Sequence, residues 1–192
     1  MPQKENIYTI PNFLSFYRLL IFPYILYLVY SRQEQLFAVF LCISLVTDIL
    51  DGLIARMFNL RTQLGARLDS IADLGTYILA VYGIIVFKWQ DIESVLFPAY
   101  VFFVVFILGY LISLLKFRKL QSLHLYSAKI AGYLQGIFFF ILFSSGYHAW
   151  IFYIAIVWGI LALTEEIVIL LLLKELASNV KGLYWVLKRR RA

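Results

Sequence analysis

Residues 47–77 read TDILDGLIARMFNLRTQLGARLDSIADLGTY, and the fold has to be built around them. The stretch joins two apolar runs, yet it holds Asp48, Asp51, Asp69 and Asp73, four of the 11 acids in the chain. At about 100° per residue, Asp48, Asp51, Gly52 and Ala55 share one face of a helix, with Arg56 at its edge. Gly65, Asp69, Ala72, Asp73 and Thr76 share one face of the next helix. The link between them is short, so the two are expected to pack antiparallel and bring the four carboxylates together. Inside a membrane each such acid is unfavourable by about 2.5–3.5 kcal/mol on insertion scales. Four at close range also repel one another unless some protonate or a cation sits among them. Arg56 alone does not balance four charges, and all-oxygen ligation suits a hard cation such as Mg²⁺ or Mn²⁺. Gly52, Ala55 and Gly65 lie one turn from the acids. By themselves such small residues serve close helix packing; beside the carboxylates they read as a groove that admits a ligand, phosphate being the usual companion of such metals.

Working outward, the 192 residues are 63% hydrophobic and 15% charged, with a mean hydropathy of +0.86. A soluble domain is about half apolar and a quarter charged, so a soluble protein is excluded. Spanning helices need about 20 mostly apolar residues, and six segments qualify: 13–30, 36–55, 68–88, 94–115, 128–146 and 148–173. The first is too long for a cleaved signal, and no small-residue cleavage site follows it. The expectation is an all-α integral membrane protein, a six-transmembrane-helix bundle forming one domain over residues 1–192. Residues 1–12 are read as an interfacial amphipathic segment, with Pro11 near a helix start. Residues 174–192 are read as a basic cytoplasmic tail whose Lys188, Arg189, Arg190 and Arg191 meet anionic headgroups. Fifteen of the 17 Lys and Arg, Arg18 included, fall at one membrane face, and only Arg32 and Lys88 at the other. By the positive-inside rule both termini and the aspartate end of the bundle are cytoplasmic. The lone Cys42 forms no intrachain disulfide and reads as core filler.

The aspartate stretch follows the pattern D-x-x-D-G-x-x-A-R, eight residues, G-x-x-x-D-x-x-x-D, from Asp48 to Asp73. With every position and gap filled, it resembles the signature of the CDP-alcohol phosphotransferase family, in which six spanning helices are usual. The segment Ile10-Pro11-Asn12-Phe13-Leu14-Ser15, with Arg18 and Pro23, is similar to the start of bacterial phosphatidylglycerophosphate and cardiolipin synthases. The resemblance implies a metal-dependent transferase of phospholipid biosynthesis. Asp48, Asp51, Asp69 and Asp73 would hold one or two Mg²⁺ or Mn²⁺ ions against the diphosphate of a CDP-diacylglycerol-type donor. Thr47, Gly52, Ala55, Arg56 and Gly65 would receive the donor nucleotide. Asp73 would also be the general base for the acceptor hydroxyl, and CMP would leave. The same resemblance implies membrane lipids as partners, no nucleic acid, a homodimer, and a multi-pass site in a membrane such as the bacterial inner membrane, facing the cytoplasm.

The acceptor is less sharply written. Glycerophosphate-using members commonly read D-P-x-A-D-K on the third helix, whereas this chain reads Asp69-Ser70-Ile71-Ala72-Asp73-Leu74. That version is similar to phosphatidylserine synthases and inositol-phosphate-using members. Glycerol 3-phosphate is the preferred acceptor, with serine, inositol phosphate or another small or lipid alcohol as alternatives. A phosphorylated acceptor needs its own cations, and Arg118, Lys119 and Lys129 are the candidates; His124 reads as a solvated loop residue. Glu165 and Glu166, beside Thr164 in the last span, read as a polar contact between helices, with pairing to a cation such as Lys129 or lining of the acceptor pocket as the alternatives. Two rival classes are a Mg²⁺ channel or transporter, which leaves the small residues without a task, and an intramembrane prenyltransferase, which has more spans and aspartate motifs far apart.

Overall fold

The computed structural model describes residues 9–60, 62–118, 123, 125–173, 175 and 180–191, with 189–191 described in backbone only. Lys119 and His124 lie outside the described residues, as does most of the 1–12 segment. The described chain is all-helical, and six of its helical stretches are long and apolar enough to cross a membrane. They are α1 (Ile10–Tyr30), α2 (Glu34–Met57), α3 (Gln63–Phe87), a fourth stretch (Trp89–Phe117), α6 (Tyr126–Ser144) and α7 (Ala149–Leu172). The fourth begins with a one-turn α4 (Trp89–Ile92), passes a 3₁₀ turn (Glu93–Val95) and continues as α5 (Leu96–Phe117). A short α8 (Leu183–Arg191) closes the chain. At most 28% of the residues in any spanning window are buried within the protein. Most of the apolar surface therefore needs a hydrocarbon solvent, which fits a multi-pass membrane protein.

The helix ends show why the elements start where they do. Thr9 caps α1 by accepting from the Asn12 N–H, and Pro11 falls in the first turn, where its missing N–H does no harm. No separate interfacial helix precedes it among the described residues: Ile10 to Asn12 are the first turn of the spanning helix itself. Thr62 caps α3 by accepting from the Gly65 N–H at 2.9 Å. That cap is why the third helix starts at Gln63, five residues before the apolar run suggested.

Two compact units can be described separately: Met1–Ile92 with Phe140–Tyr147, and Glu93–Phe139 with His148–Ala192. In the first, α1 packs extensively against both α2 and α3, while those two touch each other far less. The expected α2–α3 pairing is thus opened by a third helix between them. Its apolar centre holds Phe37, fully buried, in edge contact with Phe143 and beside Gly83, where any Cβ would strike that ring. At the end away from the aspartates, Arg32 donates to the Val86 carbonyl at 3.3 Å and Lys88 pairs with Glu34 at 2.8 Å. In the second unit α5 packs on α7, with Gly159 against the Phe102 ring. Lys116 Nζ donates to the Leu170 and Leu171 carbonyls at 3.0 and 2.8 Å, which caps the C-terminus of α7.

Candidate active site

The site is assembled from three helices of the first unit, and height along them explains why its members meet. Asn12, in the first turn of α1, donates from Nδ2 to Thr62 Oγ1 at 3.1 Å, tying the starts of α1 and α3 together. Arg18 follows Asn12 by six residues and Asp69 follows Thr62 by seven. At 1.5 Å per residue both rise about 10 Å from that common level. Asp51 lies six residues before the end of α2, at a matching depth from the α2–α3 turn.

At that level Arg18 sits among all four aspartates. One terminal nitrogen, Nη1, donates to Asp48 Oδ1 at 2.5 Å and to Asp73 Oδ1 at 2.8 Å. The other, Nη2, donates to Asp51 Oδ2 at 2.5 Å and to Asp69 Oδ1 at 2.8 Å. Each nitrogen thus takes one carboxylate from α2 and one from α3. Ser15, one turn before Arg18, donates to the same Asp51 oxygen at 3.1 Å. The Arg18 side chain is 1% exposed and Asp51 4%, whereas Asp48, Asp69 and Asp73 are 39%, 41% and 49% exposed. Arg18 and Asp51 therefore form the floor, and the other three acids form an accessible rim.

Charge decides what the arrangement can do. Four ionised carboxylates around one guanidinium leave three negative charges uncompensated. Asp48, Asp51 and Asp69 each offer an oxygen within 4.8 Å of the other two. Ligands of one octahedral Mg²⁺ at about 2.1 Å stand about 3.0 Å apart when adjacent and about 4.2 Å when opposed, so these side chains would draw together around an ion. The donor set and the excess charge fit a hard divalent cation.

The flanking residues divide. Gly52 is half-buried, and a Cβ there would meet only Arg56 Nη2 at 3.7 Å, so a groove is open beside it. Gly65 is buried, and a Cβ there would overlap Asn12 Oδ1 and lie 2.7 Å from Thr62 Oγ1. The missing side chain at Gly65 makes room for α1. Ala55 is half-buried, and the Thr47 hydroxyl donates to the Ser44 carbonyl at 2.9 Å. Arg56 is exposed and donates from Nε to the Gly52 carbonyl at 2.8 Å, along its own helix. Ser70 is satisfied by the Ala66 carbonyl at 2.9 Å.

Of the acceptor candidates, Arg118 ends α5 in a left-handed conformation (φ 54°), and Lys129 stands over the Tyr126 ring at 5.6 Å. Both belong to the second unit. Glu165 accepts from the Ser127 hydroxyl and from the Leu183 N–H at 2.8 Å, so it joins α6, α7 and the start of α8. Sequence reasoning placed Arg18 among the topological surface charges and missed it as a site residue. The signal was there: Asn12, Ser15 and Arg18 recur at three-residue spacing on one face of an apolar helix, and an arginine in such a run is as unfavourable as the aspartates.

Residues 8–165 match the CDP-alcohol phosphatidyltransferase family. The chain belongs to it. Over 72 residues this family member is 44% identical to a cardiolipin synthase (CMP-forming)/mitochondrial hydrolase fusion protein of Schizosaccharomyces pombe, covering 38% of the chain and 12% of that protein. Over 69 residues it is 35% identical to a CDP-diacylglycerol–glycerol-3-phosphate 3-phosphatidyltransferase of Salmonella typhimurium, covering 34% and 38%. Over 83 residues it is 35% identical to a probable cardiolipin synthase (CMP-forming) of Drosophila melanogaster, covering 41% and 26%. The matched stretches thus span well under half the length of these curated relatives. No solved structure matches the chain.

Proposed function

We propose that the whole chain acts as one membrane domain that moves a phosphatidyl group from CDP-diacylglycerol, or a related CDP-alcohol, to a hydroxyl acceptor and releases CMP. The observation that carries this reading is the meeting of four aspartate oxygens from α2 and α3 at one guanidinium, with an anionic excess left on the accessible rim. Asp48, Asp51, Asp69 and Asp73 are assigned to holding Mg²⁺ or Mn²⁺. Bound there, such ions would neutralise the diphosphate oxygens and the departing phosphate.

The chain's own groups supply the rest. Gly52, Ala55, Thr47 and Arg56 border the donor groove, and Gly65 fixes α1 against it. Asp73, with the most exposed carboxylate of the four, takes the proton of the acceptor hydroxyl. The acceptor oxygen forms a bond to the phosphatidyl phosphorus, and the bond from that phosphorus to CMP breaks. Glycerol 3-phosphate is the preferred acceptor, supported by the likeness to the Salmonella CDP-diacylglycerol–glycerol-3-phosphate 3-phosphatidyltransferase, and Arg118, Lys119 and Lys129 are assigned to its phosphate. The Lys and Arg excess supports a site facing the cytoplasm. A buried guanidinium under the rim argues against an ion path through the same acids.

The test is CMP release by purified protein from CDP-diacylglycerol with Mn²⁺ or Mg²⁺. Glycerol 3-phosphate, serine, inositol phosphate and phosphatidylglycerol are offered in turn. Metal-dependent, acceptor-dependent release is expected, fastest with glycerol 3-phosphate. Metal flux through vesicles with no CMP release under any condition would sink the reading.

A further inference from the structure

Arg18 does more in this geometry than balance one charge. Its two terminal nitrogens reach all four carboxylates at 2.5–2.8 Å, each bridging α2 to α3. Its Nε is buried with no hydrogen-bond partner, so the whole demand on the group falls on those four contacts. Three of the four carboxylates it holds, Asp48, Asp51 and Asp69, are those whose oxygens come within 4.8 Å of one another as a ligand set. Asp51 is the decisive member: one of its oxygens already takes Arg18 and Ser15, and the side chain is 4% exposed. A cation drawing on Asp51 therefore works against the guanidinium by charge repulsion, and at Oδ2 also by demand for the same lone pairs.

We propose that Arg18 is the built-in counter-cation of the centre, a positioning residue that braces the four aspartates and competes with divalent metal for their oxygens. This rests on the reading of the aspartates as a metal centre. Arg18 suits the task because its planar fork carries several fixed donors, where a lysine ammonium is a compact point charge that cannot span four acceptors in the same way. The brace keeps the anionic cluster assembled across three helices, and its opposing charge sets the metal affinity below what four free carboxylates would reach.

The experiment titrates Mn²⁺ into the purified full chain, following free Mn²⁺ by electron paramagnetic resonance, for the unmodified protein, Arg18→Gln and Arg18→Lys. Thermal unfolding is recorded with and without Mn²⁺. Removing a unit charge from within about 4 Å of a bound dication is expected to tighten Mn²⁺ binding about tenfold or more in Arg18→Gln. The same variant should unfold at lower temperature without Mn²⁺ and gain more on its addition, with Arg18→Lys between the two proteins. A merely structural arginine would not raise metal affinity when lost. Equal or weaker binding in Arg18→Gln overturns the proposal. If that variant does not fold, Arg18→Lys decides by the same criterion. Failure of the unmodified protein to bind Mn²⁺, or binding unaltered in Asp69→Asn, overturns the metal-centre reading itself and this proposal with it.

Discussion

The two compact units handle buried polarity in opposite ways. In the unit built on α1, α2 and α3, an arginine and four aspartates separated by 30–55 residues in sequence converge, and the sum is still anionic. In the unit built on α5 and α7, Lys116 is spent on the carbonyls ending α7, and Glu165 on Ser127 and the first N–H of α8. There these two side chains end a helix and fasten neighbours, which is what membrane helices need when water is absent. The lesson is that a buried charge matched by its surroundings is architecture, while one left unmatched marks where a ligand must come. Substitutions in the two units should therefore separate chemistry from stability.

The widest separation is expected at Asp73. Asp73→Asn keeps the side-chain volume and hydrogen-bonding reach but removes the proposed base. Turnover should fall by about 10²–10⁴-fold, while the Kd for CDP-diacylglycerol changes little. Normal CMP release by this variant would remove Asp73 from that role. Next comes Gly65→Ala, which drives a methyl into Asn12 Oδ1 and against Thr62 Oγ1. Overpacking of this kind destabilises by about 1–3 kcal/mol. Because Asn12 sets the height of Arg18, activity should fall too, about 10²-fold for a displacement near 1 Å. A thermal melt and a kcat measurement on the same preparation check both. Stability lost without activity would mean that the α1–α3 tie does not align the site.

The mirror experiment lies in the other unit. Glu165→Ala leaves the Leu183 N–H and the Ser127 hydroxyl without their acceptor. Losing such contacts destabilises by about 1–3 kcal/mol, and hydrogen exchange should rise in the amides of residues 183–188. CMP release with saturating substrates should stay within about twofold, the level of a surface change in stability. If kcat drops with no loss of protection, Glu165 belongs to the chemistry and the contrast between the units breaks.

How much of this was readable in advance follows from what is local in a sequence. The spanning helices are legible because hydropathy is a running property of the chain. The faces carrying Asp48 and Asp51, and Asp69 and Asp73, are legible because helical period is fixed. What three-residue spacing does not tell is which third helix fills the gap. Arg18 was therefore read by its position near a membrane face rather than by its partners 30–55 residues away. Gly65 shows the same limit. Its bare face is real, yet Asn12 of another helix fills it. Glu165 was read as an interhelical contact, and its partner Ser127 lies on the preceding helix, though the α8 backbone that completes its bonding was not foreseeable.

The finest test of the contrast is Gly52→Ala. Gly52 and Gly65 look alike in sequence, each one turn from an aspartate, but they differ in what an added methyl would touch. At Gly52 the nearest atom is the mobile end of Arg56, 3.7 Å away, an ordinary van der Waals distance. The fold should not object: helical Gly→Ala is favourable by up to about 1 kcal/mol, so the melting temperature should hold or rise slightly. The donor should object, because the methyl occupies the open side of the aspartate rim. The expectation is a several-fold higher KM for CDP-diacylglycerol, about 1 kcal/mol of lost binding, with kcat nearly unchanged. An unchanged KM would mean that the groove beside Gly52 carries no substrate, and the donor would have to approach Asp48 from another side.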